Sequence, residues 1–133
     1  MKKLFILSIS VLTIAVGTSS CKKENTPGKA LDSRSVKFKL YTDKDFSTDE
    51  SNITFSIFIR DGETHLFDST YAVMKIKDIP KMANAIVAEK KIQANNNRLV
   101  VGFNYTIENV GYSWYVDTLG ATQPSKVVDF NFR

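Results

Sequence analysis

The sequence predicts an all-β protein: an antiparallel sandwich of about seven to eight short strands in one domain. Three observations carry that expectation. Apolar and polar residues alternate in run after run from Val36 to the C-terminus, turn-forming residues punctuate the runs, and only one segment has a helix-forming composition.

The first run, VKFKLY, sets Val36, Phe38 and Leu40 on one face and Lys37, Lys39 and Tyr41 on the other, because successive strand side chains point to opposite faces. ITFSIFI repeats the pattern with Ile53, Phe55, Ile57 and Ile59. RDGE follows, and Gly62 can take the positive φ of a tight hairpin. A two-residue Asp-Gly loop would pair Phe58 with His65, whereas a three-residue loop ending at Gly62 would set Phe55 opposite Phe67. The second is preferred, since it pairs apolar residues across the strands. Further strands are expected at Tyr71 to Lys77, Leu99 to Glu108, Tyr112 to Leu119 and Val127 to Phe132, with ENVGY as the turn between the second and third of these.

The segment IPKMANAIVAEKKIQ is ambiguous, because Ala, Met, Lys and Glu favour helix while Ile86, Ala88, Lys90 and Ile92 alternate. It is read as one short helical turn near residues 80–85 leading into a strand from about Ile86. The whole suits an immunoglobulin-like or similar sandwich, with a small closed barrel as the alternative.

Upstream, Met1, Lys2 and Lys3 precede the apolar run LFILSISVLTIAV, then Gly17, Thr18, Ser19 and Ser20 lead to Cys21, the only cysteine. A positive start, an apolar stretch too short to span a bilayer and a zone of small residues make an export signal over residues 1–20. Residues 21–35 are polar, with Pro27 and Gly28, and are read as a flexible tether ahead of a single domain over 36–133.

GTSSC followed by KKEN resembles the lipobox of small lipoproteins from Bacteroidetes-type bacteria. Ser19 and Ser20 suit the two positions before the cysteine, while Thr18 stands where Leu or Val is commoner. The resemblance implies that Cys21 is diacylated on sulfur, becomes the first residue after cleavage and is acylated on its amine. Its lipid chains would then anchor the protein by burying methylenes at about 0.8 kcal/mol each. The stretches SNITFSIFIRDG and MKIKDIP are also similar to small β-sandwich lipoproteins of that group, a likeness that implies a fold and brings no functional residues. Other roles for Cys21 have little behind them: no second cysteine exists for a disulfide, and no histidine stands near it to activate a thiol.

The formal charge of +4 falls to about +2 once Lys2 and Lys3 leave with the leader, and no dense basic patch interleaved with aromatics remains. Nucleic-acid binding is therefore disfavoured.

Four groups of residues are candidates for chemistry. Asp43, Asp45, Ser47 and Asp49 alternate as calcium-loop ligands do, although Thr48 and Thr54 stand where an EF-hand needs Gly and Glu; a solvated loop is the competing reading. Tyr112, Trp114 and Tyr115 concentrate aromatic surface that could stack on a sugar or a partner, against the favoured reading in which Trp114 packs in the core. Ser69 and Thr118 lie in DST and DTL, which match a short O-glycosylation pattern of Bacteroidetes-type exported proteins. His65 has neither a cysteine partner for zinc nor a nucleophile in a motif context, and is read as an ordinary strand residue.

Together these observations point to a lipid-anchored extracytoplasmic module with a binding or structural role at the cell envelope. The outer membrane or cell surface is the expected site and the periplasmic face the alternative. Membrane lipid reached through acylated Cys21 and a glycan or envelope protein are the expected partners; no cofactor, catalytic residue or metal centre is legible. A small-ligand carrier of transthyretin-like or lipocalin-like form is the second reading, and an enzyme the third, because no acid, base and nucleophile set can be assembled.

Overall fold

A computed structural model describes residues 32–133. The expected export signal, Cys21 and most of the expected tether lie outside the described residues. Seven strands follow in order: β1 (Ser33–Tyr41), β2 (Asn52–Asp61), β3 (Thr64–Lys75), β4 (Ile86–Gln93), β5 (Leu99–Ile107), β6 (Gly111–Leu119) and β7 (Ser125–Asn131). The expected helical turn is present as a single 3-10 turn at Met82–Asn84, and another closes β3 at Ile76–Asp78.

The strands form two sheets, a three-stranded one ordered β4-β1-β7 and a four-stranded one ordered β3-β2-β5-β6. Every pairing is antiparallel except β1 with β7, which run parallel. A parallel pair needs a long crossover, and here the whole intervening chain supplies it, tying the first and last strands together at Val36↔Lys126 through Tyr41↔Asn131.

The sheets close face to face on the alternating apolar residues. Phe38, Phe55 and Phe103 have no solvent exposure, and Phe130 and Phe132 keep only a few per cent. Fully burying one such side chain stabilises the fold by about 1.5–3 kcal/mol. Phe103 sits at their junction, edge-on to Phe38 at 5.6 Å between ring centroids and 5.2 Å from Phe130. Tyr115 stacks on Phe130 at 4.9 Å with 17° between planes. Such offset and edge arrangements suit the ring quadrupoles.

Three boundaries and registers differ from the sequence expectation. Ser33–Ser35 belong to β1 and not to a tether, because Ser33 pairs with Gln93, the Ser35 amide donates to the Pro124 carbonyl at 2.9 Å and Arg34 is buried. Of the expected strand at Tyr71 to Lys77, Tyr71–Lys75 form the end of the twelve-residue β3, while Ile76 and Lys77 belong to the 3-10 turn that follows. The β2–β3 hairpin takes neither expected register: Asp61 pairs with Thr64 around a Gly62-Glu63 loop, and Ile59 lies opposite Phe67. Gly62 has φ +57° at the first loop position and Glu63 has no positive φ, the pattern of a type II′ turn. Two register shifts along the pair then carry Phe55 opposite Ala72.

Arg34 is the largest fully buried side chain. Its Nε donates to the Gln123 carbonyl at 3.1 Å, Nη1 to the Asn97 carbonyl and the Asn95 side-chain oxygen at 2.8 Å each, and Nη2 to the Leu119 and Gly120 carbonyls. One guanidinium thus clamps the β4–β5 and β6–β7 loops to the start of β1. Asn95 and Asn97 in turn donate to Asp61, which places a carboxylate one shell out from the cation.

Candidate functional site on the outer sheet face

Alternation along β2, β5 and β6 turns a second set of side chains away from the core. On β2 these are Ser56, Phe58 and Arg60; on β5, Val100, Gly102 and Asn104; on β6, Tyr112, Trp114 and Val116. Register aligns them in rows, with Phe58 opposite Gly102 opposite Val116, and Ser56 opposite Asn104 opposite Trp114. The result is a shallow groove of about 310 Å³ bordered by Phe58, Arg60, Val100, Asn104, Tyr112, Trp114 and Val116.

Gly102 sets how closely Phe58 packs on the sheet beside that groove. A Cβ there would run into the Tyr115 carbonyl and come within 3.0 Å of Phe58 Cζ. The bare backbone lets the Phe58 ring lie down across the sheet, so that Phe58 is 4% exposed although it points away from the sandwich core. The Arg60 guanidinium rests 5.0 Å from the centre of that ring, a cation–π contact worth about 0.5–2 kcal/mol.

The other wall is aromatic and open to solvent. Tyr112 and Trp114 are 58% and 63% exposed, with ring centroids 5.8 Å apart and planes tilted by 41°. Trp114 therefore does not pack in the core, contrary to the favoured sequence reading. The faces divide as alternation requires: Tyr115 goes inward against Phe130, and Tyr112 and Trp114 go outward.

Arg60 is the groove's charged group. Among the described residues no carboxylate stands within ion-pair reach of it. Its Nε is covered and has no acceptor. Leaving a covered donor unpaired costs about 1–3 kcal/mol, more for a charged group. Sequence reasoning passed over both Arg60 and Phe58. The available signal was phase: Phe58 and Arg60 fall on the outward beat of a strand whose core beat is Ile53, Phe55, Ile57 and Ile59.

The remaining sequence candidates do not converge. Among the described residues no three His, Cys, Asp or Glu side chains are grouped to hold a metal ion. In the acidic loop, Asp45 accepts from the Ser47 amide at 3.0 Å and Asp49 from the Ser51 amide at 3.0 Å, the pattern of a loop whose carboxylates brace its own backbone. Hydrogen bonds from Ser47 hold the Asp45 carboxyl below its usual range, and a hydrogen bond from Asn131, helped by Arg133, does the same for Asp43. Ser69 is exposed on the edge strand β3, its hydroxyl donating to the Thr70 carbonyl at 3.3 Å. Thr118 is half-buried on β6, its amide bonded to the Asp117 side chain. His65 is exposed, 3.9 Å from Asp68. A second groove, of about 370 Å³, runs between Leu66 and residues 90–95, walled by lysine stems and backbone with no aromatic ring on it.

Comparison of the chain with protein-family models, curated proteins and solved structures finds no match, so function is argued from this geometry and the sequence alone.

Proposed function

We propose that the protein is a lipid-anchored extracytoplasmic β-sandwich that binds a ligand of the cell envelope on the outer face of its four-stranded sheet. The observation that carries the reading is the exposed Tyr112–Trp114 pair beside a groove. Rings that contribute nothing to the core leave amphipathic surface in water, and such surface is characteristic of binding sites. Anchoring is supported by the lipobox-like GTSSC stretch and the absence of a second cysteine. The rings of Phe38, Phe55, Phe103 and Phe130 occupy the space between the sheets in which a carrier would hold its ligand, which favours a surface-binding module over the carrier reading.

Two measurements test the two halves. Labelled palmitate should be incorporated by the wild-type chain and lost with Cys21→Ala; equal labelling refutes the anchor. For binding, full-length protein in a sugar-free detergent is sedimented with delipidated envelope material. Trp114→Ala should reduce retention while leaving the far-ultraviolet circular dichroism and melting temperature unchanged. Equal retention of the variant refutes the outer-face site.

A further inference from the structure

Resting on that outer-face reading, we infer that the groove takes an acidic saccharide: a short pyranose chain whose carboxylate pairs with Arg60 while a sugar ring stacks on Trp114. Charge complementarity gives the sign of the ligand. The guanidinium lies on the Phe58 ring with no carboxylate partner among the described residues. A carboxylate can accept from the two terminal nitrogens together, a two-pronged geometry that arginine favours. The Phe58 ring beneath holds the fork in place, so less freedom is lost when it binds.

The rest of the groove fits a sugar better than an aliphatic chain. Trp114 stands directly across from Asn104, which faces Ser56 on the next strand. A flat aromatic face is therefore continued by an amide and a hydroxyl, donors and acceptors for the equatorial hydroxyls of a ring whose C–H face lies on the indole. Trp114 and Arg60 are two strands and four residues apart in the register, and both border the one groove of about 310 Å³, so a single bound saccharide can meet both side chains.

Trp114 is the only tryptophan in the sequence, so its fluorescence reports the site directly. Full-length protein in a sugar-free detergent is titrated with tetragalacturonate and, in parallel, with neutral cellotetraose, with calorimetry as the second readout. The uronate should shift and quench the Trp114 emission, bind more tightly than the neutral sugar and weaken as salt is added. Arg60→Gln should weaken uronate binding roughly ten- to a hundredfold. Arg60→Lys, which keeps the charge without the fork, should fall between it and the wild type. Unchanged melting temperatures for both variants establish that they are folded.

Equal affinity for both sugars, undiminished in Arg60→Gln, would overturn the acidic class. Failure of both sugars to bind at millimolar concentration would overturn the saccharide assignment, as would Arg60-dependent binding of an acidic peptide in their place. Neither failure touches the Trp114 dependence of envelope retention, on which the broader reading stands or falls.

Discussion

Arg34→Met should be the most damaging single substitution at the entry end of the sandwich. Methionine can fill much of the buried volume but donates nothing to the five residues that Arg34 now serves. The Leu119 carbonyl bond is wholly buried and the others partly so, leaving water to replace only some of them. A hydrogen bond to a charged donor contributes about 1.5–3 kcal/mol, and several neutral acceptors left short of a donor at about 1–3 kcal/mol each bring the loss to about 3 kcal/mol or more. Taking the lower bound and about 4 °C per kcal/mol for a domain of this size, the melting temperature should fall by roughly 12 °C or more. Arg34→Lys retains charge and stem but cannot reach both loops with a fork, and should lose about half as much. Thermal and urea unfolding followed by circular dichroism would measure both, with a constant urea slope showing that stability and not denatured-state compactness has changed. A loss under about 1 kcal/mol for the methionine variant would refute the claim that this guanidinium holds the two loops to β1.

Two further outcomes follow from the geometry. Gly102→Ala should destabilise by about 2–3 kcal/mol, because the new methyl meets the Tyr115 backbone, which yields less readily than a side chain; a melting temperature within 2–3 °C of wild type, on the scale of about 4 °C per kcal/mol, would contradict it. Glu50 is held down to about 2 by hydrogen bonds from Lys75 and Lys77. Its folded value lies below the unfolded one, so its contribution is present above the ordinary glutamate range and is lost as pH falls through about 2. Glu50→Gln should therefore narrow the stability difference between pH 7 and pH 2, as read by urea midpoints, and an unchanged difference would show that the two lysines do not act on it.

The fold was legible wherever one face of a strand is buried and the other wet. In β2 and β5, in β1 from Val36 and in β7 from Val128 the inward set is apolar, so alternation fixes both the strand and its core face. The hairpin register was not legible, because it depends on two bulges along β2–β3 that have no local sequence signature. Arg34 escaped notice for a simpler reason: a charged residue amid serines looks like a linker. Yet it falls on the same beat as Val36, Phe38 and Leu40, and that phase was the available clue to its burial.

The misplacement of Trp114 has the most physical content. On β6 the outward set, Tyr112, Trp114 and Val116, is more apolar than the inward set, Ser113, Tyr115 and Asp117. Read alone, such a strand assigns its core face to the wrong side, and only pairing with β5 corrects it, by setting Tyr115 opposite Phe103 and Leu119 opposite Leu99. A strand whose local pattern opposes its tertiary placement bears a cost that folding alone does not explain, and such conflicts concentrate at functional surfaces. The same face carries Gly102, which weakens a strand interior yet leaves room for Phe58 to lie against the sheet, and Arg60, whose Nε is left without an acceptor. Three departures from what would best stabilise a sheet thus fall on adjoining strands of one face. The core on the other side of that sheet is closed by residues that none of the three displaces. The core thus lies on one face of β2, β5 and β6 and the proposed recognition surface on the other, and Trp114 can be removed to test that proposal with the fold intact.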